Sequence, residues 1–285
     1  MTYAALYSQF VTTLSVFYPR YEAEAIFFYY LFYKFKMERY QWSLLRNEAI
    51  VDVHNFVLEE DLAKLAEGYP VQYLVGKCEF GPCVLSVEEG VLIPRPETEE
   101  LVADIADEFA SNPFLRILDI GTGSGAIALA LKKLFPQAQV WATDFSEKAV
   151  QIATANAKAL QLEVTILQHD IFNSNLSLLP NDLDVIVSNP PYIPLSEREN
   201  LHVNVKQYEP STALFVPDND PLCFYTTIAK VASKLLKPSG KLCFETYHLF
   251  HTQLKDILTE LRFRDILSKC DLQGKSRFVF ATREE

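Results

Sequence analysis

The chain has 285 residues, 49% of them hydrophobic and 22% charged. That is the balance of an ordinary globular protein, at a length that suits two domains or one large one. It excludes collagen, low-complexity disorder and disulfide-stapled miniproteins. Twenty-six Lys plus Arg against 37 Asp plus Glu leave a formal net charge of −11, which disfavours a dedicated binder of phosphate backbones, because such binding needs clustered cations.

Residues 1–75 read as a small helix bundle. Leu6, Phe10, Leu14 and Phe17 recur at helical spacing, and residues 22–35 form an aromatic-rich second helix. Residues 41–50 and 58–66 are shorter candidates. No Gly precedes Gly68, and Pro19 is the only Pro before Pro70, an absence of breakers that suits helices. The most apolar run, residues 25–33, is far shorter than the ~20 residues of a membrane span. The first cation is Arg20, so no basic leader region is visible. A cytoplasmic protein is expected.

Residues 69–94 carry Gly76, Gly81, Pro82 and Gly90 between short β-rich pieces at 71–75 and 82–87, a hairpin-bearing connector. Leu101, Val102, Ile105 and Phe109 then mark an amphipathic helix with Glu97, Glu99 and Glu100 at its positive N-terminal end. Strands are expected at 115–120, 139–143, 164–168, 184–188, 241–246 and 277–281. Helices are expected at 126–135, 147–160, 221–236 and 248–261. Such alternation implies an α/β fold with a mostly parallel sheet covered on both faces. The expected division is a helical substrate-binding domain at 1–75, a β-hairpin connector at 76–95 and a catalytic domain at 96–285.

Cys78, Cys83, Cys223, Cys243 and Cys270 are odd in number and lack C-x-x-C spacing, so reduced thiols are expected. His248 and His251 stand three apart on an expected helix but lack a third ligand, and no metal is expected.

Three motifs carry chemistry. The first runs from Ile117 through Asp119, Gly121, Thr122, Gly123, Ser124 and Gly125 to Ala126: an apolar strand, a Gly-rich turn and a helix. Glycines admit close backbone approach, and the helix start offers free N–H groups. The second is Asp144 at the end of the next strand, placed to accept both hydroxyls of a ribose or, alternatively, to cap the helix near Ser146. Together they indicate an adenosine-bearing cofactor, and the near-match to a dinucleotide fingerprint leaves a nicotinamide-dependent oxidoreductase open. The third is Ser188-Asn189-Pro190-Pro191-Tyr192 after an apolar strand. Two prolines fix the backbone and remove two donors. What remains is the Asn189 side-chain oxygen and the Pro190 carbonyl as acceptors, with Tyr192 as a flat face. Such a set suits a planar NH2 group held for attack on an electrophile.

The segments 119–125, Asp144 and Asn189 to Tyr192 resemble class I S-adenosylmethionine-dependent methyltransferases acting on amino groups, which have a Rossmann-like sheet. Residues 90–99 (Gly-Val-Leu-Ile-Pro-Arg-Pro-Glu-Thr-Glu) narrow the resemblance to the release factor glutamine methyltransferases. Residues 70–76 with Glu79 and Phe80, Tyr208-Glu209-Pro210 with Ala213 to Phe215, and Asp271 with Gly274 and Arg277 agree. The likeness spans residues 65–285; the first 65 match only in being helical.

The resemblance implies methylation of the side-chain amide nitrogen (N5) of the glutamine in the Gly-Gly-Gln motif of peptide chain release factors, with S-adenosyl-L-methionine as donor, S-adenosyl-L-homocysteine as product and no metal. It implies that Gly121, Thr122, Gly123, Ser124 and Gly125 hold the methionine end of the cofactor, that Asp144 binds its ribose, and that Asp170 and Ile171 flank the adenine. Asn189, Pro190, Pro191 and Tyr192 would hold the glutamine, with Asn189, Pro190 and Tyr192 catalytic and Asn189 also beside the donated methyl. Transfer would be direct, without a strong general base. The family often has an aromatic at the position of Ile171, whereas here Phe172 follows; Glu245-Thr246 stands where it commonly has Glu then Gly. Arg95 and the glutamates around it have two readings, contact with cofactor or substrate and ion pairs that hold the domain junction, of which the structural one is favoured because no chemistry requires them. The helical domain, with six basic and nine acidic residues in 1–75, is expected to hold the protein substrate by shape and aromatic surface. A monomer without stable nucleic-acid or membrane partners is expected. The rival readings are an adenine-N6 DNA methyltransferase using the same Asn-Pro-Pro-Tyr logic on a flipped base, the oxidoreductase, and a non-catalytic helical binding module.

Overall fold

The computed structural model describes residues 1–50 and 55–284. The chain divides into two compact units, residues 1–77 with 202–208 and residues 78–201 with 209–285.

The first unit is helical: α1 (Tyr3–Leu14), α2 (Arg20–Phe35), α3 (Arg39–Leu45), α4 (Asn55–Ala66) and α5 (Val71–Val75). The Thr2 hydroxyl caps α1 by accepting from the Ala5 N–H at 3.2 Å. Leu6, Phe10 and Leu14 are buried as expected, but α1 stops at Leu14 and Phe17 is 47% exposed in the turn before Pro19, which opens α2. The core gathers Leu6, Phe10, Phe27, Tyr30, Leu62 and Leu65. Buried Asp61 accepts from the Tyr30 hydroxyl at 2.7 Å and pairs with Lys34 at 3.2 Å. Residues 71–75, expected to be β-rich, are a single helical turn. Its valines favour a strand, but Pro70 starts the turn and Gly76, at φ 69°, ends it in the left-handed conformation that closes helices.

At the start of the second unit β1 (Lys77–Phe80), whose first residue closes the first unit, pairs with β2 (Cys83–Ser86) around Gly81-Pro82. Next come α6 (Pro96–Glu108), β3 (Arg116–Ile120), α7 (Ala126–Leu134), β4 (Gln139–Asp144), α8 (Glu147–Leu160), β5 (Thr165–Gln168) and β6 (Leu183–Ser188). After β7 (Ile193–Pro194) and a 3-10 turn the chain enters α9 (Val203–Tyr208), which packs in the helical unit. There the His202 ring lies 5.3 Å from Tyr18 and the Tyr208 ring 5.1 Å from Tyr69. The chain returns through α10 (Ser211–Leu214), β8 (Phe215–Val216), α11 (Cys223–Leu235), β9 (Leu236–Glu245), α12 (His251–Glu260), β10 (Phe263–Cys270) and β11 (Ser276–Arg283).

The main sheet has seven strands in the order β10-β11-β9-β6-β3-β4-β5. The five from β9 to β5 are parallel, and β11 runs antiparallel to both β9 and β10. Strand period two sorts side chains to opposite faces. Ile117, Val185 and Val187 join the core under α6, α7 and the β1–β2 hairpin, while Leu118, Ile186 and Phe244 join the core under α11 and α12. Strand order reverses between β3 and β6, so the crevice of the sheet opens at their carboxyl ends. The Gly-rich turn and Asn189 both stand there.

Candidate active site

The Gly-rich turn is tied down from beneath. The Gly121 and Thr122 N–H groups both donate to the Thr143 carbonyl at 2.9 Å, and the Ser188 hydroxyl donates to the Ile120 carbonyl at 2.6 Å across the crevice. Gly121 and Gly123 have φ of +76° and +56°, and a Cβ at either would project into open space; at Gly125 (φ +87°) it would sit 2.9 Å from Leu129 Cδ1. The first two glycines therefore keep a cradle clear, and the third lets α7 pack. Asp119 lies fully buried under the turn. Its Oδ2 accepts from the Thr122 hydroxyl at 2.6 Å and the Ala128 N–H at 3.2 Å, and Oδ1 has no protein partner. Burial pushes its carboxyl up to about 7, against the pull of those two donors.

Asp144 closes β4. Its Oδ2 accepts from the Gly123 N–H and its Oδ1 from the Ser146 N–H, each at 2.9 Å. Capping of α8 falls instead to Ser146, whose hydroxyl accepts from Ala149 at 3.3 Å. Asp144 keeps acceptor capacity for a ligand, and burial raises the carboxyl above its usual range.

A cavity of about 390 Å³ opens above these groups. Gly121, Gly123, Asp144, Asp170 and Ile171 line it, together with Asn189, Pro190 and Pro191. Thr122, Ser124 and Gly125 do not: the two hydroxyl residues are buried within the turn. Phe172 lines the cavity beside Ile171, its ring 4.9 Å from that of Phe224, so an aromatic wall exists one residue later than the family pattern puts it. The cradle, the carboxylate with free lone pairs and the Ile–Phe wall fit an adenosine-bearing ligand with a polar tail.

The Asn-Pro-Pro-Tyr turn leaves β6 at the same edge. Asn189 Nδ2 donates to Thr98 Oγ1 at 3.2 Å, Thr98 donates to Glu245 Oε2 at 2.6 Å, and the Tyr192 hydroxyl donates to Glu245 Oε1 at 3.1 Å. Burial raises the Glu245 carboxyl, while Thr98, the Arg277 charge and Tyr192 pull it back. Burial also raises the Tyr192 phenol. The Tyr192 ring lies nearly parallel to Tyr247, centroids 6.0 Å apart, and Tyr192 lines a second hollow with Ile193, Glu197, Tyr247, His248 and Arg277. One turn thus serves the cavity with Asn189 to Pro191 and this hollow with Tyr192. Thr246, where the family commonly has Gly, is accommodated: its N–H donates to the Arg277 carbonyl at 2.7 Å and its Oγ1 lies 2.5 Å from His251 Nε2.

Several lining residues carried no chemical signal in the sequence. Gly90, Val91 and Leu92 reach the cavity, as do Pro210, Ala213 and Phe215. The two segments are joined by a pair between Arg95 and buried Glu209 at 2.5 Å, and by the Ile93 N–H donating to Glu209 Oε2 at 3.2 Å. The only sequence clue was the familiar look of both segments. Arg95 accordingly acts as an ion-pairing group. Asn156 was missed entirely: its amide donates to the Ser86 and Ser124 carbonyls at 2.9 Å each and accepts from the Ser86 N–H at 2.7 Å. It pins α8 to both the hairpin and the Gly-rich turn.

Among the described residues no three His, Cys, Asp or Glu side chains are grouped to hold a metal ion, and no helix is long and apolar enough to cross a membrane. The five cysteines are free thiols, and burial pushes that of Cys78 up to about 12.

Sheet order, the crevice at β3–β6 and the two turns beside it define a class I methyltransferase. The profile described as "Methyltransferase small domain" matches residues 99–207. A methyltransferase structure from Pyrococcus furiosus superposes with a TM-score of 0.50 at 18% identity, over 81% of this chain and 96% of that one. The T. thermophilus 16S rRNA N2 G1207 methyltransferase, solved with AdoMet and guanosine, superposes with a TM-score of 0.51 at 17% identity, over 73% of this chain and 50% of that one. These two speak for the fold alone.

Sequence relatives go further. A release factor glutamine methyltransferase of Flavobacterium psychrophilum is 37% identical over 275 residues, 95% of this chain and 96% of that protein. One of Bacteroides thetaiotaomicron is 43% identical over 227 residues, 79% and 80%. The chain belongs to the release factor glutamine methyltransferase family.

Proposed function

We propose that this protein methylates N5 of the glutamine side chain in the Gly-Gly-Gln motif of peptide chain release factors, using S-adenosyl-L-methionine. The observation that carries the reading is the placement of Asn189 and Pro190 at the sheet crevice, on the wall of a cavity suited to an adenosine-bearing ligand. The relatives' name supplies the substrate class.

On this reading the cradle at Gly121 and Gly123 receives the methionine portion of the cofactor, Asp144 accepts from the ribose hydroxyls, and Ile171 and Phe172 flank the adenine beside Asp170. Thr122 and Ser124 act from within the turn, by fixing its backbone. When bound, S-adenosylmethionine supplies an electrophilic methyl group on a sulfonium. The protein's own task is to make a poor nucleophile ready. An amide nitrogen has a delocalised lone pair. Two acceptors, Asn189 Oδ1 and the Pro190 carbonyl, take its two hydrogens, draw charge onto nitrogen and fix the direction of the lone pair. Tyr192, held by Glu245 and stacked near Tyr247, gives the flat carboxamide a face. On this reading the glutamine enters from the side of the second hollow, which Tyr192 lines. The proton leaves to water after methylation, so no strong base is required. The reading places the protein in the cytoplasm as a monomer, with the helical domain at 1–75 gripping the release factor, and with no metal, nucleic acid or membrane as partner.

Incubation with S-adenosylmethionine and a peptide spanning Gly-Gly-Gln should add about 14 Da, one methylene, on the glutamine. Asn189→Ala should lose about 10²-fold in rate, the usual effect of deleting one preorganised polar contact. Label passing into duplex DNA and not the peptide would overturn the assignment in favour of a base methyltransferase.

A further inference from the structure

We propose that Thr98 and Glu245 are positioning residues that set which way the Asn189 carboxamide faces; this rests on the acceptor role given to Asn189 above. A carboxamide presents an oxygen on one side and an NH2 on the other, and only the oxygen side can receive a substrate NH2. Nothing in the Asn-Pro-Pro-Tyr turn itself decides between the two faces.

Glu245 decides it through Thr98. Glu245 is 1% exposed at the end of β9, and both of its oxygens accept: Oε2 from Thr98 at 2.6 Å and Oε1 from Tyr192 at 3.1 Å. A hydroxyl carries one hydrogen. Once Thr98 spends it on Glu245, its oxygen can only accept from Asn189, which therefore turns Nδ2 toward Thr98 at 3.2 Å. The Asn189 oxygen is left on the opposite edge of the amide, free to accept. Thr98 is itself 4% exposed, on the first turn of α6 behind Pro96. The Pro-Glu-Thr-Glu segment thus has a chemical task, and the same carboxylate anchors the tyrosine of the motif. The two ends of the Asn-Pro-Pro-Tyr turn are referenced to one buried group.

The chemistry requires an acceptor at both oxygens of residue 245. An amide there offers one acceptor and one donor, so one of the two hydroxyls must reverse. If Thr98 reverses, it offers its hydrogen to Asn189, and the carboxamide is driven to turn its oxygen inward.

The test compares Thr98→Val, Thr98→Ser and Glu245→Gln in the full chain. With the Gly-Gly-Gln peptide, Thr98→Val and Glu245→Gln should lose about 10²-fold in kcat, the scale of a misplaced reacting group. Affinity for S-adenosylhomocysteine should stay unchanged, and Thr98→Ser, which keeps the hydroxyl, should recover most of the rate. Wild-type turnover by Thr98→Val, or a Thr98→Ser variant as slow as Thr98→Val, would overturn the proposal. A second readout needs no turnover. In 15N-labelled protein one Asn189 side-chain N–H should be protected from exchange in wild type and Thr98→Ser, and unprotected in Thr98→Val. An unprotected wild-type amide overturns the orientation. Failure of the wild type to methylate the peptide, with that amide protected, overturns the functional reading instead.

Discussion

Asp119 shows how a single buried side chain couples the turn to solution conditions. Burial pushes its carboxyl up to about 7, from the 3.8 of an open chain. Between those values the unfolded chain gives up the proton first. Stability contributed at low pH is therefore lost as pH rises from about 4 to 7, and the loss is complete above 7. Urea midpoints for wild type and Asp119→Asn should accordingly diverge across that window, wild type falling relative to the variant; parallel curves would contradict a protonatable Asp119. The place of Asp144 at the end of its strand was legible in the sequence from the apolar run before it. Its bonds to Gly123 and Ser146 were not legible, since an N–H partner leaves no trace in residue type. Nor was the Thr98–Glu245 pair, whose members stand 147 positions apart. Both look like helix-start and strand-end residues of no distinction until folding brings them together.

At the level of elements, periodicity located most strands and helices of the sheet domain, because strands buried on both faces read as unbroken apolar runs. β6, whose six residues are all buried, is the clearest case. It failed at β10, where alternating exposed residues and a bulge beside Arg264 blur the pattern of an edge strand. It failed again at residues 71–75, where β-branched composition outweighed a Gly that ends a helix. The hairpin is a structural support, joined to α8 and the Gly-rich turn through Asn156. Asn156→Leu removes three hydrogen bonds, two with the Ser86 backbone and one with the Ser124 carbonyl. It should cost about 3 kcal/mol, the sum expected for several modest bonds, measured as a lower urea midpoint. A variant as stable as wild type would show that these bonds are dispensable.

Across the whole molecule, the cavity is lined by residues of the sheet-bearing unit, so ligand binding should stabilise that unit. At a concentration 100 times its dissociation constant, S-adenosylhomocysteine should add about 2.7 kcal/mol. Calorimetry should record this as an upward shift in melting temperature. The alternation of strands and helices made the α/β class legible from 101 onward, and the lack of Gly and Pro made the helical start legible. The return of residues 202–208 to the helical unit was not legible, because six helical residues flanked by polar loops carry no address. That return leaves the backbone with three covalent crossings between the units, after positions 77, 201 and 208. Neither unit is a transplantable cassette: a cut at a single junction separates the seven residues 202–208 from the aromatic rings they pack against.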